Sequence, residues 1–291
     1  MHRVVNFIVV KDTVDTDIIV VSFIPRDRAE RNPMPTIPAA FIGHGNPMNA
    51  LETNQWTTAW NEFGASLDEA TAILAISAHW YIGITAVTAM EHPRTIHDFS
   101  GFPDELFAVE YPAPGDPQLA RSVMATLDPI DVGLDTDSWG LDHGTWSILA
   151  HVRPQADLPV VQLSIHSGLP LDEHLAIGRA LAPLRDQGVA IICSGNVVHN
   201  LGRVEWGRPG QGSDWAEDFD HAASELLRTR PAEIAELLDH PAFSLAVPTA
   251  EHFLPLVYLA GLADAAETTA STLIEGCDLG SLSMTSYRID D

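Results

Sequence analysis

Thirteen histidines occur in the 291 residues, and three of them stand where an apolar, strand-like run stops. His44 follows Phe41-Ile-Gly and is flanked by glycines in Gly43-His-Gly-Asn-Pro47, a setting in which the backbone turns sharply and exposes the imidazole. His79 follows Ile73-Leu-Ala-Ile-Ser-Ala78, and His199 follows the run 190–198. Imidazole is the commonest metal ligand and carries protons near neutral pH. Ligands of open α/β sheets bind beyond the carboxyl ends of the strands, so three histidines in that slot can converge on one metal or acid–base site. Their spacing matches neither a zinc finger nor a His-Glu-x-x-His helix, so any metal site has to be assembled at strand ends from distant segments. A lone histidine at a strand end serves equally well as a hydrogen-bonded structural residue. Three in the same slot weigh against that reading for the set.

Further histidines have chemical surroundings. His252, in Pro248-Thr-Ala-Glu-His-Phe-Leu-Pro255, opens a predicted helix with the carboxylate of Glu251 beside it. His143, in Leu141-Asp-His-Gly-Thr145, lies at another turn into a helix, where the positive end of the helix favours a neutral imidazole. His97 belongs to the polar and aromatic loop Thr95-Ile-His-Asp-Phe-Ser-Gly-Phe-Pro103, which is placed to line or cover a pocket. The sequence carries no phosphate loop, no Gly-x-Ser-x-Gly elbow and no dinucleotide fingerprint. Metal chemistry is what remains.

The elements that must position these residues alternate. Apolar runs of strand length at 39–42, 72–76, 85–89, 159–165 and 189–193 are separated by helical patterns near 50–64, 116–127, 143–152, 171–187, 214–228 and 231–239. That alternation predicts an α/β fold, one sheet with helices on both faces. Residues 1–34 read as an N-terminal extension, and 35–291, without linker or repeat, as a single catalytic domain.

Composition narrows the partners. A 46% hydrophobic and 19% charged chain is typical of a folded globular protein. Forty acidic against 15 basic residues give a net charge of −25, the wrong sign for gripping phosphates or anionic lipid. We therefore expect no nucleic-acid or membrane partner. No stretch approaches the ~18–20 apolar residues of a membrane span. Two isolated cysteines suit a reducing, cytoplasmic location. A monomer or small homo-oligomer is expected.

Eight segments in order resemble the DOPA-dioxygenase-like branch of the class III extradiol ring-cleaving dioxygenases, relatives of the catalytic subunit of protocatechuate 4,5-dioxygenase. They are Gly43-His-Gly-Asn-Pro-Met48, Ser77-Ala-His-Trp80, Thr95-Ile-His-Asp-Phe-Ser-Gly-Phe-Pro103, Tyr111-Pro-Ala-Pro-Gly115, Leu141-Asp-His-Gly-Thr-Trp146, Ser194-Gly-Asn-Val-Val-His-Asn200, Thr249-Ala-Glu-His-Phe-Leu-Pro255 and Gly280-Ser-Leu-Ser-Met284. The resemblance implies a single α/β domain around a mixed central sheet. It implies that His44, His79 and His252 ligate a metal, with Glu251 the competing third ligand because the protocatechuate relatives use a glutamate there. It assigns His199 to acid/base catalysis, and to the metal as well in zinc-loaded members, and His143 to proton or hydroxyl handling.

The implied reaction inserts O₂ into a catechol, L-DOPA or a related one, at a mononuclear non-haem site and opens the ring to a semialdehyde. Fe(II) is the metal expected for activity, since a three-ligand facial site leaves adjacent positions free; Zn(II) can occupy the same ligands but donates no electrons to oxygen. Trp80, Phe99 and Phe102 offer walls for an aromatic ring, with His97 nearby, and each serves equally as core packing. Arg94 offers a charge for a substrate carboxylate or a place on the surface. The alternatives are a zinc hydrolase using metal-bound hydroxide and a non-catalytic metal-binding protein on the same scaffold.

Overall fold

In the computed structural model, which describes residues 35–290, the apolar runs pair into one eight-stranded sheet. Its strands come from β1 (Ala39–Gly43), β2 (Ala72–Ile82), β3 (Thr85–Thr88), β4 (Val132–Asp135), β5 (Val160–His166), β6 (Val189–Gly195), β7 (Ser271–Ile274) and β10 (Ser286–Ile289); β8 (Cys277–Asp278) and β9 (Leu282–Ser283) form a separate small hairpin. The order is β4-β3-β5-β2-β6-β1-β10-β7. β5, β2, β6 and β1 run parallel, whereas β3 pairs antiparallel to β5 and parallel to β4, and β10 pairs antiparallel to β1. The sheet is mixed, as expected. The N-terminal extension lies outside the described residues.

Among the described residues eight α-helices surround it: α1 (Gln55–Gly64), α2 (Asp104–Phe107), α3 (Pro117–Thr126), α4 (His143–Val152), α5 (Leu171–Leu181), α6 (Asp214–Thr229), α7 (Phe243–Ala246) and α8 (Leu254–Ala265). The central strands are buried on both faces, and their residues alternate between two cores. Phe41, Leu74 and Ile76 pack with α3, α5, α6 and α8, whereas Ile42, Ile73 and Ala75 pack with Trp56, Trp60 and Phe63 of α1 and Trp146, Ile148 and Leu149 of α4. α8 is buried from Leu254 through Ala263 and pins the sheet under the candidate site.

Three expectations are corrected. Strand β2 does not stop before His79: it continues to Ile82, and its register against β5 shifts between Ile76 and Tyr81. β2 advances from Ile76 to Tyr81 while β5 advances only from Leu163 to Ile165, so His79 sits in an irregularity inside the strand, a usual way of re-aiming a side chain. The segment Pro231–Asp239 is a kinked 3-10 stretch, not an α-helix. Strands β4, β7 and β10 were not expected, being short and, in β4 and β7, largely uncovered. No helix among the described residues is long and apolar enough to cross a membrane.

Candidate metal centre

The strand order decides which histidines meet. β6 lies between β2 and β1, so the β1 terminus at His44 and the β2 irregularity at His79 open onto the same end of the sheet. His44 leaves β1 where Gly43 passes the Met284 backbone too closely to carry a side chain, a Cβ there lying 2.9 Å from its carbonyl carbon. Gly45 then turns with φ of 59°. His143 is the first residue of α4, whose N-cap Asp142 accepts from the Thr145 amide at 3.1 Å. His252 precedes α8, and its carbonyl accepts from the Asn196 amide at 2.8 Å, which ties it to the end of β6. His199 lies beyond β6 and bridges to Leu282.

One ring nitrogen from each of His44, His79 and His143 comes within 4.8 Å of the other two. Nε2 of His44 and Nε2 of His79 are 3.2 Å apart. The ring of His252 lies 5.3 Å from that of His44 and 5.1 Å from that of His79 between centroids, and His199 stacks on His252 at 3.5 Å.

Hydrogen bonds on the outer nitrogens fix which way these rings act. Ser194 Oγ donates to the Gly144 carbonyl at 2.5 Å, so it accepts from His44 Nδ1–H at 3.0 Å. Asp98 accepts from Nδ1 of His79 at 3.0 Å and of His143 at 2.8 Å. Glu251 accepts from Thr249 Oγ1 at 2.6 Å and from His252 Nδ1 at 3.3 Å. Each neutral ring therefore turns an unprotonated Nε2 away from its partner. The Nε2 atoms of His44 and His79 thus meet 3.2 Å apart, and a cation bound between two neutral rings satisfies both lone pairs. Neutral imidazoles backed by oxygen acceptors are the donor set that borderline divalent metals take.

The electrostatics favour neutral rings at His44, His143, His199 and His252. Burial, and then the neighbouring histidines, push His44 and His252 well below the ordinary imidazole value. His143 is lowered by burial and by His79, and burial takes His199 down to about 4. His79 is the exception: burial opposes its charge, but the bond to Asp98 and the carboxylates of Asp142, Asp98 and Glu251 raise it. Asp98 itself is held far below the usual carboxylate range despite burial, by its bonds to His143 and His79.

Other expected residues fall differently. Phe99 sets its ring edge-on to His143 at 5.4 Å and also meets Phe102, Phe107 and Trp146. His97, one position before Asp98, turns into that aromatic cluster and donates from Nε2 to the Val109 carbonyl at 2.9 Å. Trp80 neighbours His79 on β2 and so points to the other face; it stacks on Trp139 at 5.8 Å beside a shallow depression of about 280 Å³. Arg94 donates to the Ser138 carbonyl at 2.5 Å.

Sequence reasoning missed the groups behind the histidines. Asp98 was quoted inside a motif but overshadowed by His97. Asp142 is fully buried and accepts from Ser77 Oγ at 2.7 Å, from Trp139 Nε1 at 3.3 Å and from Gln162. Its signal was its place immediately before a helix-opening histidine, which marks an N-cap.

Residues 40–279 match the family model described as the catalytic LigB subunit of aromatic ring-opening dioxygenase. The chain is 46% identical over 257 residues to a 4,5-DOPA dioxygenase extradiol of Escherichia coli K12, covering 87% of this chain and 94% of that protein. It is 37% identical over 257 residues to the protein of that name from Beta vulgaris, covering 85% and 94%. Among solved structures, an uncharacterized Escherichia coli K12 protein superposes with a TM-score of 0.75 at 42% identity, over 87% of this chain and 99% of that one.

Proposed function

The chain belongs to the family of catalytic LigB subunits of aromatic ring-opening dioxygenases, and from that premise we propose that it opens the ring of an L-DOPA-like catechol at a mononuclear Fe(II) site held by His44, His79 and His252. It is an extradiol dioxygenase. Membership leaves the hydrolase and non-catalytic readings without support. The substrate class is supported by relatives named for DOPA at 46% and 37% identity. The single observation that carries the metal reading is the meeting of the His44 and His79 Nε2 atoms 3.2 Å apart, each ring held at Nδ1 by an oxygen acceptor.

Iron bound there supplies adjacent open positions and a path for electrons from a catechol to O₂. The chain's own groups do the rest. His199, neutral because burial holds it near 4, accepts a catechol proton and returns it later. His143, fixed by Asp98 on its outer nitrogen, presents a second proton acceptor on the side of the site walled by Phe99. Zinc suits the same imidazoles but supports no turnover. One observation favours a second ligand reading: His143, not His252, shares the 4.8 Å nitrogen cluster with His44 and His79.

The substrate reading is tested by oxygen uptake across a catechol panel with protein loaded anaerobically with Fe(II). We expect kcat/KM for L-DOPA to exceed that for unsubstituted catechol by about tenfold or more, about the effect of one or two productive contacts. Equal or reversed preference overturns the L-DOPA assignment.

A further inference from the structure

We propose that Asp98 is a positioning residue which, with one carboxylate, fixes the tautomer of both the metal ligand His79 and the pocket base His143 and fastens the aromatic loop to them. The inference rests on the assignment of those two histidines made above. Asp98 Oδ2 takes Nδ1–H of His79 at 3.0 Å, and Oδ1 takes both the His143 Nδ1–H at 2.8 Å and the His143 amide at 3.0 Å. Three donors on one carboxylate leave it no room to act as an acid.

Bridging matters because the two rings come from different elements, His79 from β2 and His143 from α4. Their centroids are only 3.8 Å apart. Among the described residues no other acceptor meets either Nδ1 to select its tautomer, and an Nε2–H pointing inward can neither ligate a metal nor accept a proton. Backing a ligating imidazole with a carboxylate also raises its donor strength. Asp98 belongs to the 95–107 segment, and its neighbour Phe99 presses its edge to His143. The same side chain thus ties the substrate wall to the metal ligand.

Asp98→Asn separates this role from a general structural one. Its amide can accept from only one Nδ1–H; toward the other imidazole it presents N–H donors, which drive that ring into the Nε2–H tautomer. Because Oδ1 keeps the two His143 donors, we expect ¹⁵N imidazole spectra of the metal-free variant to show His79 switched, and Zn(II) affinity, measured by competition with a chromophoric chelator, to fall by about 10–100-fold. Circular dichroism and the thermal midpoint should stay close to wild type, since Asp98 sits on a loop. Asp98→Ala should give the affinity loss with mixed tautomers in place of a switch, and the wild-type spectrum alone should show both rings protonated at Nδ1. Wild-type affinity in Asp98→Asn, or unswitched spectra, would overturn the proposal, as would wild-type rings protonated at Nε2. None of these readouts uses catechol turnover, so failure of the dioxygenase reading would show separately, as absent oxygen uptake by the Fe(II)-loaded wild type.

Discussion

The imidazoles of His199 and His252 lie face to face, their centroids 3.5 Å apart at an interplanar angle of 5°. Two stacked rings cannot both carry charge without strong repulsion, and burial adds to that cost. Burial, which takes His199 down to about 4, keeps it neutral, and the stack holds its ring in place, which is the state a base needs before substrate arrives.

Removing His199 should separate binding from chemistry. His199→Ala is expected to retain metal content while kcat falls by about 10²–10⁴, the usual worth of a positioned acid/base group. Metal analysis beside steady-state oxygen uptake checks this, and loss of metal in the variant would make His199 a ligand instead.

The third ligand is decided by a pair of variants. His252→Ala is expected to lose most of its bound metal, whereas His143→Ala should keep it and lose turnover. The opposite pattern would favour the tighter nitrogen cluster of His44, His79 and His143.

At Gly144 the backbone passes close to the site. A Cβ there would lie 2.5 Å from Ser77 Oγ and 2.7 Å from His79 Cδ2. Gly144→Ala should cost about 1–3 kcal/mol of stability through overpacking. It should also weaken metal binding by displacing the His79 ring, seen as a raised Kd in the same chelator competition. An unchanged Kd would mean that His79 yields without leaving its position.

Away from the site, Asp220 on α6 is buried, and burial raises its carboxyl to about 6 although Ser283 and Thr285 donate to it. Below about pH 4 both folded and unfolded chains hold this proton. As pH rises from about 4 to 6 the unfolded chain releases it first, so stability falls, and above 6 the full cost is present, on the order of 2–3 kcal/mol. Asp220→Asn should flatten that part of the profile. Denaturant unfolding of both proteins at intervals between pH 4 and 7 reads the difference, and parallel profiles would contradict the assignment.

The sequence made the apolar strands legible because β1, β2, β5 and β6 are buried on both faces and read as continuous runs. β4 was hidden because two of its four residues are exposed. Histidines were visible through their company at strand ends, and five of them, His44, His79, His143, His199 and His252, do gather. The roles of Asp98 and Ser194 were not legible, because their importance lies in which imidazole nitrogen they hold, a relation between segments that no local pattern encodes. His97 drew attention as the residue type expected of a site, yet loop geometry turns it to the aromatic cluster and Asp98 to the histidines.

The most direct measurement is oxygen consumption on mixing L-DOPA with anaerobically Fe(II)-loaded wild type, beside His79→Ala treated identically. The account predicts rapid uptake in step with catechol loss and a yellow ring-opened product in the wild type, and neither in the variant. Uptake that is the same in both proteins, or none in a wild type that holds its iron, would contradict it.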